Sequence, residues 1–270
     1  MQPQSPQPPR LLSQQQFNAY SAAWVDAVRH GDSLPAIFQQ PGQPAKSSFV
    51  RFPLQDIVWL VSTVGSQRIK VQFLLKPDAG PDADPLRPRF TMALFSADAQ
   101  DGRISAYYLG KNTAPTETTD NEQATQGNND QPLGSALVKA ANIGGQLPHG
   151  LAGVWLKNWV NVAAVTPDLF TTNYGPLQGY VFDLQDFMDP LFYSQSFFND
   201  PEEAQNFELR IGFGLHEFYP AFPEGTTSKK TFGLVLRIYQ KDSQKPALAV
   251  PSNGSSEPFY DLSVTSPPGA

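Results

Sequence analysis

The chain has three histidines, His30, His149 and His216, and no cysteine. Without thiols there are no disulfides, thiolate metal sites, iron–sulfur clusters or cysteine nucleophiles. A metal centre built from imidazoles and carboxylates needs several convergent ligands, and no spacing here supplies them. His216 is followed by Glu217, but no second histidine follows at helical spacing, so the pair is no zincin signature. His30 closes a helical stretch, where an imidazole complements the helix dipole, and His149 lies in a Pro/Gly turn. Asp78, Asp82 and Asp84 share a Pro/Gly loop whose spacing departs from an EF-hand, which reads as a solvated acidic loop. No G-x-S-x-G, P-loop or G-x-G-x-x-G occurs. The expectation is no catalytic residue, no metal and no cofactor.

Two acidic residues recur in the same context. Phe52-x-Leu54-Gln55-Asp56-Ile57 matches Phe182-x-Leu184-Gln185-Asp186-Phe187. Asp56 and Asp186 read as N-caps of the helices that follow, each accepting from an amide two or three residues later. Alternatively they meet as an acid/base pair. A second feature is Leu215-His216-Glu217-Phe218-Tyr219-Pro220-Ala221-Phe222-Pro223. Its rings either close the core beneath the loop or anchor a partner, since Tyr and Phe offer large contact area at low entropy cost. His216, Glu217, Phe218, Tyr219 and Phe222 are therefore the candidate interaction loop, with the Phe192-Tyr193 and Phe197-Phe198 pairs open to the same two readings.

The elements that would position these groups are legible in outline. Ser13 and Gln16 form a capping box, Leu12 and Phe17 a hydrophobic staple, and Gly31 a left-handed stop. Phe17, Tyr20, Trp24, Ala27 and Val28 recur at helical spacing between them. Strands are expected at 49–52, at 69–75, from Phe90, at 104–109 after an Asp101-Gly102 turn, at 179–182, at 207–215, at 232–238 and at 259–262. Helices are expected from Ile57 to about Thr63, at 136–143, at about 150–160 and at 185–193. The Gly212-x-Gly214 pair falls within a strand, where absent side chains allow an aromatic or a helix to pack closely.

The acidic match belongs to a longer series. Pro35-x-x-Phe38 matches Pro167-x-x-Phe170, Trp24 matches Trp155, and the strands through Phe73 and Phe90 match those through Phe213 and Phe232. Five collinear matches imply a tandem duplication. The expected fold is α+β. Duplicated helix–strand–helix–strand–strand units pack as one pseudo-two-fold body with largely antiparallel sheet. Residues 1–10 are expected as a disordered Pro/Gln tail, 11–110 as the first repeat, 111–134 as a polar disordered linker, 135–262 as the second repeat and 263–270 as a disordered tail.

Composition bounds the partners. A formal charge of -6 and no dense Lys/Arg cluster argue against nucleic acid and anionic membranes. The opening residues have no apolar leader segment and no apolar run has spanning length, which points to the cytoplasm. The expected function is a non-catalytic binding, scaffolding or assembly role, through another protein or a second copy of the chain. The alternative is an enzyme with an acid/base cleft between the repeats, lined by Asp56, Asp186, His216 and Glu217.

Overall fold

The computed structural model describes residues 10–31, 33–39, 46–77, 88–112, 146–147, 149–193, 203–218, 228–241, 259–260 and 264–265. The acidic loop at 78–84, the expected helix at 136–143, most of the 111–134 segment, and Tyr219 and Phe222 lie outside these residues.

Strand β1 (Leu11–Leu12) leads into helix α1 (Gln14–His30). The expected capping box is present. The Gln16 amide donates to Ser13 Oγ at 3.2 Å, and the Ser13 amide donates to Gln16 Oε1 at 3.0 Å. Gly31 ends the helix at φ 80°, donating to the Ala27 carbonyl. Helix α2 (Leu34–Ile37), β2 (Phe49–Pro53) and α3 (Leu54–Val61) follow. Next come β3 (Arg68–Lys76), β4 (Arg89–Ala97) and β5 (Tyr107–Leu109). The later part of the chain adds β6 (Gln146–Leu147), α4 (His149–Asn161), β7 (Thr171–Thr172), β8 (Gly175–Pro176), β9 (Gly179–Asp183) and α5 (Leu184–Tyr193). The last elements are β10 (Phe207–Phe218), β11 (Lys229–Gln240), β12 (Phe259–Tyr260) and β13 (Val264–Thr265). The fold is α+β, and among the described residues every strand pair is antiparallel. Residues 264 and 265, expected within the disordered 263–270 tail, pair with β9.

Two large sheets carry the fold, one ordered β1-β5-β4-β3-β9-β13 and the other β2-β10-β11-β12-β6. Each takes a strand from the opposite end of the chain. In the first, β9 pairs with β3, Phe182 opposite Ile69 and Tyr180 opposite Val71. In the second, β2 pairs with β10, Phe52 opposite Leu209 and Val50 opposite Ile211. The outer flanks repeat the exchange. Lys111, just after β5, trades two backbone hydrogen bonds with Arg51 of β2 at 2.8 and 3.0 Å. Val264, after β12, pairs with Val181 of β9.

The alternation of β3, β4, β10 and β11 sends one face of each sheet into a shared core. Phe73, Phe90, Phe213 and Phe232 meet there with Trp24, Phe38, Trp159 and Phe170, all fully buried. Phe38 stacks on Phe170 at 5.6 Å with planes 9° apart. Trp24 lies 5.2 Å edge-on to Phe170, and Trp159 lies 5.0 Å from Phe38. Rings offset or edge-on in this way add stabilisation beyond their buried area. Sequence spacing sets Trp24 against Trp155, and the structure differs. Trp155 is half-buried outside the second sheet, while Trp159, one turn further along α4, enters the core as Trp24 does. Both tryptophans sit on one helical stripe, so spacing alone does not choose between them.

A helix covers the outer face of each sheet. Under α1 lies a cluster of Leu74, Phe95, Tyr107 and Leu109 with Phe17 and Tyr20. Under α4 lie Leu147, Ala152 and Val235 with Trp155 and Leu156. The expected role of the strand glycines holds. A Cβ on Gly212 would meet Leu156 Cδ2 at 2.9 Å, and one on Gly214 would meet Trp155 Cβ at 3.1 Å. Their missing side chains let α4 approach the sheet.

Candidate functional site

The two aspartates are not N-caps. Helix α3 begins at Leu54 and α5 at Leu184, which makes Asp56 and Asp186 the third residue of each helix. The Asp186 carboxylate reaches backward rather than forward. Asp186 Oδ2 accepts from the Asp183 amide at 3.1 Å, three residues earlier. That is the returning half of a capping box. Asp56 has no such amide to accept from, because the corresponding residue is Pro53, which lacks an N–H.

Asp56 is buried among different company. Burial pushes its carboxyl up to about 6, against the opposing pull of Lys111 and Lys241. Tyr108 lies close enough that the Asp56 charge, after burial, helps raise its phenol. Lys111 is lowered by burial first, then by Arg10 and Lys241, with Asp56 and Glu208 opposing. A carboxyl pushed up by burial within the field of two ammonium groups is a candidate acid/base group. Among the described residues this is the strongest acid/base feature, and the sequence offered Asp56 only as half of a pair.

Helix α3 packs on α5, and the Asp186 carboxylate accepts from the Asp183 amide. His216 and Glu217 lie near the far end of β10, where β10 meets the start of β11. The His216 ring stacks on Trp155 at 3.6 Å with planes 25° apart. It lies over Gly233, where any Cβ would overlap the imidazole. Burial holds it neutral, with its pKa lowered to about 4. Glu217 is exposed and accepts from the Ser228 hydroxyl at 2.6 Å. Phe218 pairs through its backbone with Lys229 as the last pair of the hairpin. The structure thus gathers His216 with Trp155 and Gly233, and does not gather it with Asp56 or Asp186.

Two features escaped the sequence. The first is a row of arginines across three adjacent strands. Arg51 is directly opposite Arg210, and Arg210 is directly opposite Arg237. Like charges in that relation repel. Two rings and a carboxylate offset this. The Arg210 guanidinium lies 4.1 Å from the Tyr239 ring and 5.0 Å from that of Phe49, with Arg51 5.2 Å from Phe49 and Arg237 5.5 Å from Tyr239. Glu208 Oε1 lies 2.8 Å from Arg210 Nε and 3.6 Å from Arg51. Stacking of guanidinium on aromatic faces is favourable, more so when desolvated. The three residues come from segments far apart in the chain, so no local charge run betrays them. Arg210 and Glu208 alternating with the core residues of β10 were the one visible hint.

The second is the exposed surface of α4, where Leu151, Val154 and Val160 are exposed at 42%, 53% and 60%, Val154 facing outward and the other two on opposite flanks. The corresponding side of α1 presents Gln14, Gln15, Asn18, Asp26 and Arg29. A shallow open groove of about 680 Å³ runs beside α1, bordered by Asn18, Ser21, Asp26, Arg29 and Gln178. None of the candidate site residues expected from the sequence borders it.

Among the described residues, no group of three or more His, Asp or Glu could hold a metal, and no helix is long and apolar enough to cross a membrane. No family model, curated protein or solved structure matches the chain.

Proposed function

We propose that this chain is a non-catalytic binding or assembly protein that arose by tandem duplication, and that the outer helix of its second half is the contact face for another protein. The observation that carries the reading is the contrast between the two outer helices. Helix α1 and helix α4 occupy matching places on their sheets, yet α1 faces solvent with amides and charges while α4 offers Leu151, Val154 and Val160, with Lys157 as its one charged side chain. Val154 faces outward while Leu151 and Val160 lie on opposite flanks of the helix, so the reading rests on the shortage of charge and amide along α4 rather than on one continuous patch.

Support for duplication is the register itself. Phe52 against Leu209 and Phe182 against Ile69 are the same pairing with the halves exchanged. The ring contacts of Trp24 with Phe73 and Phe90, at 5.6 and 4.9 Å, have counterparts in Trp159 with Phe213 and Phe232, at 5.7 and 5.2 Å. Once a body is doubled, one copy of a surface is free to change while the other keeps its polar face.

The partner we favour is a different protein rather than a second copy. Three partly exposed aliphatic side chains fall far short of the ~800 Å² per partner of a stable interface, so α4 would serve as one anchor within a wider contact. The alternative, an acid/base enzyme, rests on the buried Asp56 carboxyl with Lys111, Lys241 and Tyr108 around it.

In-cell photo-crosslinking tests the reading. A photoreactive residue at Val154 is expected to give one discrete adduct heavier than the chain by another protein, and the same residue at Gln15 to give none. An adduct of twice the chain mass would replace the partner with a second copy. No adduct at Val154 would remove α4 as the contact face.

A further inference from the structure

We infer that the two halves of the chain recognise each other by reciprocal strand addition, strongly enough to stay joined when the connection between them is cut. The inference stands on the strand pairing alone and does not depend on the reading of function.

Residues 10–112 lack the neighbours their own strands need. Strand β2 has its ladder partner, β10, in the other half, and β3 has one edge occupied by β9 from the other half. Taken alone, the first half would keep the Arg51–Lys111 bridge but leave the β10-facing edge of β2 and the β9-facing edge of β3 open. It would also bare Ile69, Val71, Phe73 and Leu75, all of which are 5% exposed or less. Residues 146–265 face the same loss at β9 and β10. Open edges beside bare apolar faces are what strand addition fills.

Specific contacts cross the same seam. The Trp24 indole donates to Leu177 and the Trp159 indole to Ser47, each acceptor lying in the other half. Lys46 Nζ donates to the Val162 carbonyl at 2.6 Å. Gly179 sits where β9 crosses the backbone of Val71, and any Cβ there would overlap the Val71 carbonyl. The seam is therefore selective for the strand that fills it, as a recognition surface must be.

A protease site placed in the full chain between Asn128 and Asn129 allows the folded protein to be cut after folding. The nicked protein is expected to elute as one species of the uncut size. It is expected to unfold in a single transition whose midpoint rises with protein concentration, because unfolding now separates two chains, while the uncut midpoint does not move. A nicked Gly179→Ala variant is expected to fall apart at concentrations where nicked wild type stays whole. Separation of nicked wild type into two folded species, or two independent transitions, would overturn the inference.

Discussion

Trp24 and Trp159 make the same hydrogen bond in opposite directions. The Trp24 indole N–H donates to the Leu177 carbonyl at 2.8 Å, just before β9, and the Trp159 indole N–H donates to the Ser47 carbonyl at 2.9 Å, just before β2. Each tryptophan thereby fixes the entry of a strand that adds to the sheet of the other half.

Replacing either tryptophan by Phe keeps most of the apolar area but leaves a buried carbonyl without its donor. Each change is expected to cost about 2 kcal/mol, the penalty for an unsatisfied buried group. Urea denaturation should give similar losses for the two variants. A loss confined to one of them would show that the two bonds are not equivalent.

Much of this arrangement was legible in the sequence, because it follows from periodicity and capping. The Ser13 box, the Gly31 stop, the alternating strands and the paired Phe52 and Phe182 segments were all visible. Which strands pair was not, since β2 and β9 cross to the other sheet and local pattern carries no information about that. The Asp56 environment was missed for a related reason. Lys111 and Lys241 come from the ends of β-hairpins more than fifty residues away, and only folding brings them near. The arginine row needed two registers at once.

Two buried groups are expected to pull stability in opposite directions as pH changes. The Asp56 pKa is raised from 3.8 to about 6, so folding favours its protonated form. Its contribution is present below pH 3.8 and lost as pH rises through 6. The His216 pKa is lowered from 6.5 to about 4, so folding favours its neutral form. Its contribution is present above pH 6.5 and lost as pH falls through 4. Asp56→Asn is therefore expected to gain stability relative to wild type at pH 7 and not at pH 4. His216→Gln should change the slope between pH 4 and 6.5. Thermal midpoints across pH 3.5–8 read both, and an Asp56→Asn profile parallel to wild type would refute the assignment for Asp56.

Glu208 is expected to matter more than its position on an outer face suggests. It serves both Arg51 and Arg210, and is buried with Arg210. Glu208→Gln keeps the size and removes the charge, at a predicted cost of about 3 kcal/mol, as for other buried pairs stripped of one partner. A second change of Arg210→Met should recover part of that loss. Equal stability of the Gln variant and wild type in urea would mean the guanidinium groups are held by the Phe49 and Tyr239 rings without need of the carboxylate.

The exchange of β2 and β9 between sheets is the centre of this account, and the absence of native cysteine makes it directly measurable. Lys70 and Val181 are directly opposite across the β3–β9 junction, close enough for an engineered disulfide to span with little movement. The Lys70→Cys/Val181→Cys variant is expected to oxidise within one chain. It should run as a compact monomer on a non-reducing gel and melt at a higher temperature than its reduced form. The diagonal Gln72→Cys/Val181→Cys variant should oxidise far less completely. Failure of the 70/181 pair to oxidise, or bonding only between separate chains, would contradict the strand exchange.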